Sequence, residues 1–308
     1  MRALSAVVFA VFVASYLSAQ SGVAVVGAGY VGPNNVITVA PGQITTFFLS
    51  GAGVTLPAPA RIDARGPAVP TSLGGFSATI RQTLTNTLFS LPILSVKQTN
   101  ICVANSTGFP GSGCTITSLT VQIPNGLAVH NPIEVNPFFE FGATELIISV
   151  DGVASSAFAL EPVATQIHML TNCDGSPVAN FGGLPCTWQI THANGSVVAW
   201  YAPAKPGETV VAYAFGLGAP GSQVVDGVPV RTSVALKADQ FQLSFAYRAG
   251  GSVPPIEAPP DLGPAAVHPV YVGLVSGFVG LYQLNFVVPR PAPGTFACDG
   301  RTVFANVR

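Results

Sequence analysis

"PGETVVAYAFGLG", residues 206–218, holds most of a fold in one short run. Pro206 and Gly207 suit the two central positions of a type II turn: proline presets φ at the first, and glycine takes the positive φ of the second. From Thr209 to Phe215 the residues alternate. Thr209, Val211, Tyr213 and Phe215 take one face, and Val210, Ala212 and Ala214 the other. Both faces are largely apolar, which predicts a central strand with neighbours on either side. Gly216-Leu217-Gly218 then ends it.

The run has a counterpart 165 residues earlier, "PGQITTFFLSGAG" at 41–53. The same offset places Phe76 of "FSATI" on Phe241 of "FQLSF", and "LTVQIP" (119–124) on "LNFVVP" (284–289). Three anchors in one register predict two homologous units. Pro124 and Pro289 end their strands, because proline has no N–H to give a ladder. Strands recurring at short intervals with turn residues between them predict an all-β chain of two tandem β-sandwiches, residues 20–163 and 164–308. Asp151-Gly152 and Asp226-Gly227 are expected as hairpin turns. The Pro-rich stretches 55–75 and 249–268 are expected as irregular loops. "ELIISVDGVASSAFALEPV" (145–163) adds a hairpin to the first unit, of which "RTVFANVR" at 301–308 repeats only the first strand. The junction near 164–190 lacks Gly/Ser-linker composition, so the units are expected to pack together.

Two segments, "THANGSVVAWYAPAKPGETVVAYAFGLG" (191–218) and "GFVGLYQLNFVVP" (277–289), carry a family resemblance. They are similar to the Ig-like domain of secreted acidobacterial proteins described as the Solibacter uncharacterised C-terminal domain. The matching positions are His192-Ala193-Asn194-Gly195, Pro206-Gly207-Glu208, Gly216-Leu217-Gly218 and Leu281-Tyr282-Gln283-Leu284-Asn285, in that order. "IHMLTNCDG" (167–175) fits the segment preceding them. In the first unit Ser118-Leu119-Thr120 stands where the pattern has Gln-hydrophobic-Asn. The resemblance implies an Ig-like sandwich and export, and no reaction.

A different motif points elsewhere. "VAVVGAGYVGPNN" (23–35) contains Gly27-x-Gly29-x-x-Gly32, the dinucleotide-binding spacing. That fingerprint needs a helix after the last glycine. Here Pro33-Asn34-Asn35 and a strand-like run follow, and the next acidic residue is Asp63, so no nucleotide cofactor is expected. Upstream, residues 1–19 carry one basic residue, an apolar run from Ala6 to Ala14, and small residues before Gln20. This reads as a cleaved signal peptide. The run is short of the ~20 residues that cross a bilayer, so no membrane span is expected after cleavage.

Charged residues are 8% of the chain and the net charge is −1. That gives no electrostatic basis for binding nucleic acid. It also leaves few charges to keep strand edges from pairing with other chains. The cysteines are Cys102, Cys114, Cys173, Cys186 and Cys298. In an exported chain Cys102–Cys114 and Cys173–Cys186 are expected as disulfides, each stabilising by about 2–4 kcal/mol, with Cys298 left over.

Three constellations carry possible chemistry. His168, Cys173, Cys186 and His192 hold the ligand types of a zinc site, but without Cys-x-x-Cys spacing, and export favours the disulfide instead. Cys173, His192 and Asp174 name a nucleophilic set whose Cys and Asp, adjacent on a strand, point apart. No catalytic, metal or cofactor site is therefore expected. Trp188, Trp200 and Tyr201, with Tyr213 nearby, form either sandwich core or a sugar-stacking platform. Gln283 and Asn285 alternate with Leu284 and Phe286 as a polar strand face. The function expected is that of an exported, non-enzymatic adhesion or assembly protein at the cell surface or outside it, associating with itself or with a protein. The alternative is a carbohydrate-binding protein.

Overall fold

The structure is a computed structural model. It describes residues 22–29, 37–58, 60–83, 85–100, 115–129, 144–174, 186–199, 201–221, 223–247, 265–289 and 305–307. Among these the chain is all-β, with one 3-10 turn at Ala238–Gln240 and no α-helix. No helix among them is long and apolar enough to cross a membrane. Residues 1–19, Cys102, Cys114, Trp200 and Cys298 lie outside the described residues.

The strands of the N-terminal half are β1 (Ala24–Gly29), β2 (Thr38–Val39), β3 (Ile44–Ser50), β4 (Arg61–Asp63), β5 (Ser72–Leu73), β6 (Phe76–Gln82), β7 (Thr87–Ser90), β8 (Ile93–Asn100), β9 (Thr115–Gln122), β10 (Thr144–Val150), β11 (Val153–Ala154) and β12 (Phe158–Pro162). They form one sheet in the order β1-β3-β9-β8-β4 and a second in the order β2-β12-β10-β6-β5, with β7 on β6 and β11 on β10. The period of two decides the core. Alternate residues Phe76, Ala78 and Ile80 of β6 and Leu146, Ile148 and Val150 of β10 meet Phe47, Leu49, Leu119 and Val121 of the first sheet in one buried cluster. The Gly27-Ala28-Gly29 part of the nucleotide-like motif lies inside β1, antiparallel to β3, where it makes no strand-to-helix turn. Within the stretch expected as loop, β4 pairs with β8 and β5 with β6, because Ile62 and Leu73 supply apolar side chains that pack on this core.

The C-terminal half contains β13 (His168–Met169), β14 (Ile190–His192), β15 (Thr209–Phe215), β16 (Val234–Ala235), β17 (Leu243–Tyr247), β18 (Ala265–Val267), β19 (Tyr271–Leu274), β20 (Tyr282–Val287) and β21 (Ala305–Val307). One sheet runs β13-β15-β20-β19-β16, with β14 also on β15; the other runs β18-β17-β21. Val210, Ala212 and Phe286 of the first meet Leu243 of the second in a buried cluster.

The first sheets of the two halves repeat each other pair for pair. Ile44↔Gln122 through Leu49↔Thr117 on β3 and β9 become Thr209↔Val287 through Ala214↔Tyr282 on β15 and β20, both strands displaced by 165. The constant offset conceals two length changes that cancel. Ile80↔Phe89 corresponds to Phe245↔Ala265, so the C-terminal half has eleven more residues between these strands. Gln98↔Thr117 corresponds to Leu274↔Tyr282, where it has eleven fewer. At β1 the ladder slips at a bulge between Val25 and Gly27. At the same place in the other half, between Met169↔Ala214 and Ile190↔Ala212, the chain leaves the sheet for the cysteine loop. β21 pairs with β17 as β10 pairs with β6, Phe245↔Val307 answering Ile80↔Leu146.

No slack segment separates the halves. Val163 N–H donates to Val39 O (2.9 Å), and three residues later Gln166 N–H donates to Gly216 O (2.8 Å). The Asp226-Gly227 turn differs from expectation. It closes Val225–Val228 between no two strands and reaches across to the N-terminal half instead. Asp226 Oδ1 accepts from Asn125 N (2.9 Å) and Nδ2 (2.7 Å). Gly227 N–H donates to Gln122 Oε1 (2.6 Å), while its carbonyl accepts from Val69 N–H (2.7 Å). The turn thus makes hydrogen bonds that a hairpin would have made with its own strands. Asp151-Gly152 does form the expected hairpin, with φ of 48° and 82° and Val150↔Val153 closing it.

Candidate functional site

The Pro-Gly turns are built alike. Gln43 N–H donates to Ala40 O (3.1 Å) and Glu208 N–H to Lys205 O (2.9 Å), with Gly42 at φ +73° and Gly207 at +84°. In each, the side chain of the fourth residue folds back onto the first: Ala40 N–H to Gln43 Oε1 and Lys205 N–H to Glu208 Oε2, both 2.8 Å. The side chains differ because their surroundings do. Gln43 is 2% exposed, where a carboxylate would lose its hydration. Glu208 keeps a quarter of its side chain in solvent and has a histidine beside it.

That histidine is His192. Its Nδ1 meets Glu208 Oε1 and its Nε2 meets Ala202 O at 3.1 Å. Carboxylate and carbonyl only accept hydrogen bonds, so both ring nitrogens donate when the imidazole is protonated. The bond to Glu208, then that to Ala202, raises the His192 pKa above its ordinary 6.5. The Lys205 N–H, then His192, holds Glu208 below its ordinary 4.5. The ring clasps β14, the 199–202 turn and the Pro-Gly turn together. The second polar cluster lies on the cysteine loop. Asp174 accepts from Thr171 N (3.0 Å) and Oγ1 (2.6 Å) and meets His168 Nε2 (2.9 Å). Cys173 and Cys186 are joined as a disulfide with Cα atoms 5.5 Å apart.

The zinc-like and nucleophilic sets are therefore taken apart. The two thiols are consumed by each other, His168 is engaged by Asp174, and His192 by Glu208. Among the described residues no group of three or more His, Cys, Asp or Glu is placed to hold a metal ion. Of the aromatic platform, Trp188 bridges Thr171 on the cysteine loop and is 38% exposed, and Tyr201 is 72% exposed in the 199–202 turn. Exposure removes both from the core. Each belongs to a different excursion from the sheet.

A face that the sequence only half discloses lies on β15, β20 and β19. Val272, Leu274, Tyr282, Leu284 and Phe286 point inward and are buried. Tyr213, Tyr271, Gln283 and Asn285 take the outward positions and are half-buried. Tyr213 and Gly273 flank Gln283 across the ladder, and Tyr271 stands opposite Asn285. Gln283 Nε2 donates to Asn285 Oδ1 (2.7 Å). Inside the sheet the Tyr282 hydroxyl donates to Gly218 O (2.7 Å), which ties the Gly-Leu-Gly segment to the Leu-Tyr-Gln strand. Alternation in "YVGL" was the available signal for Tyr271, but four residues do not reveal which strand lies beside them. No protein-family model matches the chain, and no curated protein matches it either.

Proposed function

We propose that the chain is an exported, non-catalytic interaction protein, of adhesion or assembly type, built from two tandem Ig-like sandwiches and acting at the cell surface or outside it. The observation that carries this reading is the join. The halves that carry the two repeats are hydrogen-bonded to each other through the Asp226-Gly227 turn of one and Gln122 and Asn125 of the other. That arrangement suits holding a surface in a fixed place. The leader-like 1–19 segment and the Cys173–Cys186 disulfide support export. The second reading, carbohydrate binding, is favoured by the exposure of Trp188 and Tyr201.

With so few charges, association draws on apolar surface and main-chain groups, including strand addition at sheet edges. Light scattering of the purified chain across concentration should show concentration-dependent association that changes little between low and moderate salt. A monomer at every concentration, with no partner recovered from the native cell surface, would refute the reading.

A further inference from the structure

The outward face of β15, β20 and β19, we infer, is a binding site for a neutral glycan, with the Tyr271 ring as its stacking platform and the Gln283–Asn285 amide pair as its hydrogen-bonding edge. The inference rests on the reading of the chain as an interaction protein and names the ligand class of its C-terminal half.

Gly273 makes the platform. Tyr271 and Gly273 are successive outward residues of β19, separated by the fully buried Val272. A Cβ at Gly273 would fall 2.9 Å from Tyr271 Cζ and closer still to its hydroxyl. Val234 O of β16 lies 2.7 Å from the same point, so backbone and ring share the space the missing side chain leaves, and the tyrosine reclines along its own strand into it. With its π-face turned outward, a ring lying along the strand is a flat surface. The apolar C–H face of a sugar ring is shaped to lie on such a surface.

Beside the ring stand the amides. Asn285 is directly opposite Tyr271, and Gln283 is opposite Gly273. Their mutual bond uses one donor and one acceptor site. In either amide orientation the pair keeps further N–H donors and carbonyl lone pairs, the mixed set that hydroxyl groups require. Tyr213 borders the amides from the β15 side. No Asp, Glu, Lys or Arg occupies an outward position on these three strands. A phosphate, a nucleic acid or a charged peptide finds no counter-charge here, and an uncharged polyol needs none.

The N-terminal half serves as an internal control. At the equivalent ladder positions it has Ser95 for Tyr271, Lys97 for Gly273, Ser118 for Gln283 and Thr120 for Asn285. It has neither ring nor amide there, and Ser118 is buried.

The test is affinity electrophoresis of the full chain through gels containing hydroxyethylcellulose, xylan or mannan, with polygalacturonate as the anionic comparison. At least one neutral polysaccharide should retard the protein, with no loss on adding salt. Tyr271→Ala should weaken retention about tenfold or more, as for a central aromatic contact. Gln283→Ala and Asn285→Ala, half-buried positions with little bearing on folding, should each weaken it about three- to tenfold. Tyr271→Phe, which keeps the ring, should stay within about twofold. Circular dichroism and the melting temperature of each variant establish that it is folded. The proposal is overturned if no neutral polysaccharide retards the chain, if polygalacturonate alone does, or if folded Gln283→Ala and Asn285→Ala bind as the parent does. If the glycan result fails while light scattering still shows association, only the glycan site falls. Failure of both, with no partner recovered from the native cell surface, removes the interaction reading as well.

Discussion

The two first sheets share a hydrogen-bond register and differ in nearly everything their side chains do. On the outward side of the N-terminal sheet, Phe48, Thr46, Ser118 and Gln122 are all no more than 2% exposed. Their counterparts Tyr213, Val211 and Gln283 are half-buried, and Val287 is 37% exposed. The backbone pairing is the same, so side chains and neighbours made the difference. Between β3 and β9 the Thr46 and Thr120 hydroxyls bond to each other (3.0 Å). The Asp226-Gly227 turn takes the Gln122 amide, and Gly280 approaches Ile44. The inward sides differ in another way. Leu49 opposite Thr117 becomes Ala214 opposite Tyr282, and Thr45 opposite Val121 becomes Val210 opposite Phe286. In the first pair large and small change places; in the second both side chains are larger in the C-terminal half. One ladder register thus carries different side-chain volumes at matched core positions.

The largest expected effect tests this difference in volume. Phe47→Ala removes a ring with no solvent exposure at the position where the C-terminal half already has Ala212. It should cost about 3–5 kcal/mol in urea unfolding. A cost under about 1 kcal/mol would mean that the N-terminal core closes over the gap, so that the two positions are interchangeable after all.

The next exchanges the turn residues. Gln43→Glu places a carboxylate at a site 2% exposed and should destabilise by on the order of 3 kcal/mol at neutral pH, less as acid protonates it. Glu208→Gln, in the matching turn, should change stability far less, because its site reaches solvent. Equal effects would break the argument that burial chose between amide and acid.

The smallest is a pH dependence confined to the C-terminal half. His192 has a raised pKa when folded, so its contribution is complete below 6.5 and disappears as pH rises through the raised value. Glu208 has a lowered pKa, so its contribution is complete above 4.5 and disappears as pH falls through the lowered value. Their joint contribution is full between those two pH values. The melting temperature of the parent, relative to His192→Gln, should be highest in that window and fall on both sides. A difference constant from pH 4 to 8 would remove the charged clasp.

The sequence by itself determined the elements and their repetition. Alternation over 209–215, the Pro-Gly turns, the Gly-Leu-Gly end and the offset of 165 are local facts, set by φ, ψ and a period of two. Local facts survive whatever the rest of the chain does. It also contained the cysteine pair 173 and 186, since the loop between them closes on itself. Tertiary structure alone decided the rest. His192 finds Glu208 because β14 and the Pro-Gly turn both adjoin β15, and sequence spacing does not state which strands adjoin. The Asp226-Gly227 dipeptide is chemically a hairpin turn, yet with no strand arms to join it bonds to Asn125, Gln122 and Val69 instead. The cancelling eleven-residue changes could not be seen at all, because an offset measured at the anchors is blind to what happens between them. Tyr271 and Gly273 become a surface only once β19 lies against β20, where the ring, the missing side chain and two amides come within reach of one another. Contacts between strands depend on the order of the sheet, and that order is fixed by the burial of both faces at once rather than by any one segment.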